Sequence, residues 1–474
     1  MRVFATICLS ICLASALAMR ASPKNSKYTV VQLNEIVRHG ARTTYESVLN
    51  TDLTKLLGKS ELTPNGMIMH YVLGRELREI YPQIFNGPAQ EKEVNIYVSP
   101  VARCIQSAVS ELFGLYPDGS SDIATNSEGI QPSFTNIRAK ASNTGSGLQY
   151  QYGPLKLKID NPSTNLVFSS YIDSVCPKAV QHRAEMFSKI TPKYEHLAVS
   201  LSDELKAAGF DPQTLVKSEH FSLEQLTNIY DEIEGYINYY GRLVDGISKD
   251  THAKLYGVAN LFYTLWYGDD KFMRLVTHRM AKNLLNRIEE HVKGGENKFN
   301  LWTGHNTNIH AFSILLGLTN AKCMEQAAST GSQPEACVVT PGYASSYIFE
   351  LNKKGNEFYV RTLLDGKPVK ICPKNEDEFY CSWSLFKNQW SQKLFFNDGN
   401  IAEFCGNPNI DDDGQAKESQ GVTLYMCYIL IALIALSSIE TLRRKIIPRI
   451  FKSSKNSMTF TKLEETSMGS DNMD

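Results

Sequence analysis

The sequence predicts an α/β fold: a central, mostly parallel sheet flanked by helices, with a mainly helical segment inserted over it. Three observations carry this expectation. Strand-like runs lead directly into helical patterns at separated places, each such junction bears arginine or histidine, and the long stretch between the second and third junctions switches to helical periodicity. In an open α/β sheet, groups placed just past the strand carboxyl ends converge on one crevice, so shared placement is itself a functional signal.

The first junction is Tyr28 to Val37 (YTVVQLNEIV), which runs into Arg38-His39-Gly40-Ala41-Arg42. The second is Val94 to Val98 (VNIYV), followed by Ser99-Pro100-Val101-Ala102-Arg103 and then by Ile105, Val109, Leu112 and Phe113 at helical spacing. The third is Lys298 to Thr303 (KFNLWT), followed by Gly304-His305-Asn306 and an apolar helix from Ile309 to Leu318. Beyond Phe349, the alternation from Phe358 to Leu363 predicts a short hairpin or edge strand. Asp118 to Gly153 is rich in Ser, Asn, Gly and Gln, and Ser200 to Arg287 is mostly helical in pattern. We therefore expect a domain over 28–410, with its core in 28–118 and 270–405 and a helical cap in 119–269. Trp266 and Tyr267, near the end of that cap, read as core aromatics in preference to substrate contacts.

Both ends of the 474-residue chain look like sorting elements. Arg2, the apolar stretch Val3 to Leu17 and Ala16-Leu17-Ala18 predict a cleaved signal peptide at 1–18. The uncharged run 421–439 lies between Asp411-Asp412-Asp413 and Arg443-Arg444-Lys445, which predicts a transmembrane helix with its carboxyl end in the cytosol. Residues 440–474 are expected to form a disordered cytosolic tail. The expectation is a single-pass type I membrane protein of the secretory pathway.

Of ten cysteines, Cys8, Cys12 and Cys427 lie in the apolar segments, leaving seven for the external domain, where disulfides are the default. Seven is odd, so one thiol is left over. Cys323 and Cys337 bracket a polar segment, and Cys372 and Cys381 bracket Pro373 to Glu378, so both pairs read as local staples. Cys104 lies in an apolar helical pattern and is the expected orphan. The balance of 49 Lys+Arg against 50 Asp+Glu provides no field to gather nucleic acid.

Arg38, Arg42, Arg103, His39 and His305 converging on one spot would make a phosphoryl site, because guanidinium groups stay charged and match phosphate oxygens bidentately. Flanking cations disfavour an imidazolium at His39, which keeps it nucleophilic in an acidic lumen. In-line attack by His39 would form a phosphohistidine that water then cleaves. Competing motifs fail on spacing. Gly58-Lys59-Ser60 has Leu53 where a nucleotide-binding loop needs glycine, and Cys176 and Arg183 are one residue too far apart for a cysteine-phosphatase loop. His305 and His310, five apart, do not share a helix face as metal ligands would, so no metal and no cofactor is assigned.

At these residues the chain resembles the histidine acid phosphatase family, over about 28–405. This branch of the histidine phosphatase superfamily includes lysosomal and prostatic acid phosphatases and phytases, built on a phosphoglycerate mutase-like core. The resemblance implies His39 as nucleophile, Arg38, Arg42 and Arg103 as phosphate ligands, and His305 as the family's second histidine. It also implies a long-range disulfide between Cys176 and Cys405, which leaves Cys104 alone. Pro341-Gly342-Tyr343-Ala344-Ser345 resembles a family segment, and the carboxyl-terminal span resembles that of membrane-bound lysosomal acid phosphatase. The implied substrate is a small phosphate monoester or a phosphoprotein, in a lysosomal or vacuolar lumen or at the cell surface; self-association as a homodimer stays open.

Two positions depart from the family. Thr44 replaces a frequent proline, and Asn306 stands where the family places Asp as the general acid. An amide has no proton to give. The expected activity is therefore slow hydrolysis, with a carboxylate of the cap as one other proton source. The alternative is a non-catalytic phosphoester-binding membrane protein of the same fold.

Overall fold

Runs rich in Val, Ile, Leu and aromatic residues form the sheet. Its strands are β1 (Thr29–Arg38), β2 (Val94–Val98), β3 (Leu157–Ile159), β4 (Phe299–Gly304), β5 (Ser346–Lys354), β6 (Glu357–Leu364), β7 (Lys367–Val369) and β8 (Tyr380–Ser382). The computed structural model describes residues 27–49, 51–117, 156–159, 167–168, 172–267 and 269–411, the last without 333, 335–336, 338–341, 373–378 and 398. The expected signal peptide at 1–18, span at 421–439 and tail at 440–474 lie outside the described residues. Among the described residues no helix is long and apolar enough to cross a membrane.

The strand order is β3-β2-β4-β1-β5-β6-β7, with β8 also paired to β6. Neighbours from β3 to β1 are parallel, while β1–β5 and every pairing beyond it are antiparallel. The sheet is therefore mixed, which corrects the expectation of a mostly parallel one. Tight turns explain the difference: Lys354 pairs directly with Glu357 across a two-residue hairpin, and only antiparallel strands can be joined so closely. Strand β6 is an inner strand with partners on both sides, because β7 and β8 continue the sheet past it.

Helices cover both faces. Pro64–Ile80 and Ala102–Leu115 pack Leu73, Leu77, Cys104, Ala108 and Leu112 against Leu33, Val37, Ile96, Val98 and Leu301. On the other face Asp270–Val292, Asn306–Leu315 and Trp383–Leu394 pack Met280, Leu284, Phe312 and Trp390 against Ile36, Trp302 and Phe349. The buried side of Ala102–Leu115 is Cys104, Ser107, Ala108, Glu111, Leu112 and Leu115. Ile105, Val109 and Phe113, which mark the apolar repeat in the sequence, are only half-buried.

Helices Pro177–Ile190, Glu195–Ala207, Leu223–Tyr240 and Lys249–Trp266 share a separate core of Leu201, Leu226, Ile229, Ile233, Leu255, Val258 and Leu261. Helix Leu223–Tyr240 starts at a capping box formed by Ser222 and Gln225 and stops at Gly241 in the left-handed region. Met324 and Ala328, from helix Ala321–Thr330, belong to the same core. The segment 119–269 also supplies β3, so it is not purely helical. Trp266 packs on Phe187, Phe262 and the Arg183 guanidinium, and the Tyr267 hydroxyl donates to the Thr307 carbonyl.

Disulfides join Cys176 to Cys405, Cys323 to Cys337 and Cys372 to Cys381, and Cys104 is a buried free thiol. Three such bonds suit an oxidising compartment.

Candidate active site

Sheet register brings the junctions level. Arg38 pairs with Gly304 and Val98 with Thr303, so β1, β4 and β2 end side by side and the residues after them face one crevice. Arg38, His39, Arg42, Arg103 and His305 all meet there, four of them buried and Arg103 half-buried. The His39 and His305 ring centres are 5.6 Å apart. Helix Asn306–Leu315 starts at the crevice, and its amino-terminal end adds partial positive charge there.

Hydrogen bonding sets the state of each imidazole. His39 Nδ1 lies 2.9 Å from the Gly40 carbonyl oxygen, which can only accept, so Nδ1 carries the hydrogen and Nε2 keeps its lone pair. Arg103 Nη2 donates to His305 Nδ1 at 3.4 Å, so neutral His305 carries its hydrogen on Nε2 and donates to Ser99 Oγ at 2.9 Å. Burial, then Arg38, Arg103, Arg42 and His305, hold the His39 pKa well below the ordinary histidine value. Burial, then Arg103, Arg42 and Arg38, do the same to His305. Cys104, beside His305, is pushed up to about 12 by burial and stays an unreactive thiol.

The guanidiniums are aimed from several directions. Arg38 lies over the Tyr343 ring with Cζ 4.3 Å from its centre, and Arg103 Nη1 donates to Ser60 Oγ at 3.1 Å. Arg42 Nη1 donates to Asp231 Oδ2 at 2.8 Å and to the Thr43 carbonyl. Nε of Arg42 and of Arg103 is buried with no hydrogen-bond partner among the described residues. A buried unpaired donor typically costs ~1–3 kcal/mol, and an oxyanion between these arginines would relieve both.

Asp231 and Glu232, on helix Leu223–Tyr240, were not singled out from the sequence. Asp231 also accepts from the Tyr45 N–H and lies 3.1 Å from Thr44 Oγ1; Glu232 accepts from the Val48, Leu49 and Thr51 N–H groups. Together they tie the loop after Arg42 to the helical layer. Burial is the largest single influence on Asp231 and opposes ionisation, but Arg42, Arg38 and the Tyr45 N–H together outweigh it and keep the pKa below the usual value. Asp231 is thus held as a carboxylate, which removes it as the proton source expected from the cap. Asn306 is half-buried, and its Oδ1 accepts from the Thr307 N–H at 3.0 Å, leaving its amide hydrogens to face other groups. Among the described residues no group of three His, Cys, Asp or Glu side chains could hold a metal ion.

Gly40 is required by close approach. A Cβ there would lie 2.2 Å from the Gly66 carbonyl oxygen, a backbone atom that cannot rotate away. Gly40→Ala is expected to destabilise the fold by about 3 kcal/mol, read from urea unfolding midpoints. An unchanged midpoint would mean that helix Pro64–Ile80 can shift to admit a methyl group.

Comparison with known proteins gives this crevice a family. The family model described as Histidine phosphatase superfamily (branch 2) matches residues 29–365. The chain belongs to this family. It is 23% identical to the prostatic acid phosphatase of Bos taurus over 340 residues, covering 69% of this chain and 74% of the bovine protein. With the prostatic acid phosphatase of Mus musculus it shares 25% identity over 352 residues, covering 71% and 79% of the two chains. Among solved structures it is similar in fold to the phytase of Klebsiella sp ASR1, with a TM-score of 0.51 at 15% identity over 79% of this chain and 96% of that one. Hafnia alvei phytase, in complex with myo-inositol hexakis sulphate, gives 0.51 at 12% identity over 78% and 98%. As a histidine phosphatase superfamily member, the chain has hydrolysis of phosphoric monoesters as its general chemistry.

Proposed function

We propose that this histidine phosphatase is an acid phosphatase that works through a phosphohistidine on His39, with Arg38, Arg42 and Arg103 binding the phosphoryl oxygens and His305 joining them once the incoming dianion draws Arg103 from its Nδ1, which then takes up a proton to donate. One observation carries the reading. The Gly40 carbonyl pins the hydrogen of His39 on Nδ1, so the Nε2 lone pair is free among converging guanidiniums, of which Arg42 and Arg103 have buried Nε groups without partners among the described residues. Nε2 attacks phosphorus, the bond to the ester oxygen breaks, and the alcohol leaves as its anion. Water then attacks the phosphohistidine, the N–P bond breaks, and inorganic phosphate is released. The arginines follow the charge as it spreads over the equatorial oxygens.

Protonation of the leaving oxygen distinguishes this chain from its family's usual pattern. Asn306 can hydrogen-bond that oxygen but cannot protonate it, and Asp231 is held ionised by Arg42. The proton comes from solvent, which makes esters of poorly acidic alcohols slow. Aryl esters suffer least, because their leaving groups need little protonation. We place the enzyme in an acidic lumen of the secretory pathway, lysosomal or vacuolar, or at the cell surface, held by the 421–439 span after loss of the 1–18 signal.

The deciding assay uses the residue 28–410 domain at acid pH with p-nitrophenyl phosphate and glycerol phosphate. Turnover of the aryl ester is expected in the wild type. Asn306→Asp is expected to raise the rate on glycerol phosphate by ~10²-fold or more while changing the aryl rate little. If neither ester reacts until Asn306→Asp is made, the chain is a phosphoester-binding protein and the enzyme reading falls.

A further inference from the structure

Directly behind the phosphate crevice lie three fully buried ionisable side chains that the proposed chemistry does not use: Glu35 on β1, His70 on helix Pro64–Ile80 and Glu111 on helix Ala102–Leu115. His70 engages both ring nitrogens. Nδ1 is 2.8 Å from Glu111 Oε2, and Nε2 is 3.1 Å from the Arg38 carbonyl oxygen. A carbonyl only accepts, so Nε2 carries a hydrogen and donates it to Arg38. Nδ1 and Glu111 must then share a second proton, whichever of the two holds it.

Glu35 lies against Glu111 with the Ser346 hydroxyl close by, yet among the described residues neither Glu35 oxygen nor Glu111 Oε1 has a partner at full hydrogen-bond geometry. Two ionised carboxylates facing each other in a dry pocket would only repel. One proton between them turns the contact into a hydrogen bond. With that proton and the one shared by His70 and Glu111, the cluster is neutral. Arg38 meets the cluster through its carbonyl oxygen, and the further titratable group whose charge Glu35 feels is Tyr81, which donates to Glu350, itself paired with Arg361.

What the cluster holds is the peptide between Arg38 and His39. Its carbonyl accepts from His70, and its N–H donates to the Gly304 carbonyl at 3.0 Å. A peptide is planar, so fixing both ends fixes the directions in which the Arg38 and His39 side chains leave the backbone. We propose that Glu35, Glu111 and His70 are positioning residues, a proton-holding brace that aims His39 while the protons are in place and slackens when one is lost. This rests on His39 being the nucleophile.

The direction of the pH effect follows from burial, which raises Glu35 well above the ordinary glutamate value, raises Glu111 to about 8 and lowers His70 to about 4. A carboxyl raised in the folded state contributes stability that is fully present below its unfolded pKa and is lost as pH climbs through the folded value. For Glu111 that window runs from about 4.5 to about 8. His70 acts oppositely, but only between about 4 and 6.5.

Two measurements test the brace. In the first, kcat and KM on p-nitrophenyl phosphate are compared for His70→Phe and His70→Gln at pH 5 and 20 °C. The phenylalanine variant is expected to lose ~10–100-fold in kcat with KM within ~3-fold, as misaiming of a catalytic group does. Glutamine, whose amide N–H can reach the Arg38 carbonyl, is expected to keep kcat within ~5-fold. Wild-type kcat in His70→Phe, or equal losses in both variants, overturns the positioning role. In the second, Tm is followed from pH 5 to pH 8 for wild type and Glu111→Gln, and the variant is expected to gain several degrees on wild type as pH rises. Parallel curves overturn the proton-holding role, and this readout stands even where His70→Phe fails to fold. A wild type without turnover would sink the phosphatase reading alone; the His70 pair is then compared by affinity for inorganic phosphate, with the same order expected and equal affinities counting against the brace.

Discussion

Replacing His39 with Ala is expected to lower kcat on p-nitrophenyl phosphate by ~10⁴-fold or more, while affinity for inorganic phosphate falls by less than ~10-fold. The asymmetry follows from the division of labour in the crevice. In the proposed mechanism the arginines bind the phosphoryl oxygens and survive the substitution, while His305, the second imidazole, has no free lone pair: its Nδ1 accepts from Arg103 and its Nε2 carries the hydrogen given to Ser99. The acid limb of kcat/KM in the wild type is expected well below pH 6.5. Burial and three neighbouring cations depress the His39 pKa, so the neutral, attacking form persists above that lowered value. Competitive inhibition by inorganic phosphate measures binding in both proteins. A fall in kcat of less than ~10-fold would rule out covalent catalysis at His39.

Breaking the long disulfide is expected to give the largest loss of stability. Cys176 and Cys405 are 229 residues apart in sequence, and in the chain-entropy description such a cross-link is worth about 5 kcal/mol. The pairs 323–337 and 372–381 span 14 and 9 residues and are worth about 3 kcal/mol or less by the same relation. Both cysteines of the long bridge are fully buried, in a cluster with Val175, Ala179, Leu275 and Ile401. The Cys176→Ser, Cys405→Ser double variant should therefore show a clearly lower urea midpoint than serine replacement of either short pair. Equal midpoints across the three variants would show that chain entropy does not govern these bridges.

Legibility in the sequence varied with the kind of information involved. The strand tips were readable because each couples a period-two apolar run to polar groups of definite chemistry, and β2 spans Val94–Val98 in both readings. Helix Ala102–Leu115 was readable as a helix, but its inner face was not. Ser107 and Glu111 are polar yet buried, Ser107 accepting from the Gly40 N–H and Glu111 meeting His70, so the apolar repeat marked a neighbouring face. Asp231 and Glu232 carried no signal at all. Adjacent carboxylates on an amphipathic helix look solvated until a distant segment, here residues 42–49 and Thr51, arrives with N–H groups and an arginine to receive them.

Sequence alone determined the identities that chemistry demands: an Arg-His-Gly-x-Arg cluster after one strand, an arginine after a second, a histidine after a third, and Asn where an acid usually stands. These are local facts, since a side chain's reactivity and the period of its neighbours are written within a few residues. Tertiary structure decided which hydrogen His39 keeps, which carboxylate grips Arg42, that the sheet turns antiparallel beyond β1, and that two glutamates and a histidine meet in the dry interior behind His39. Each of those depends on groups from distant segments meeting out of water. There the cost of an unpaired charge or donor is high enough to select one arrangement, and no spacing along the chain records that encounter.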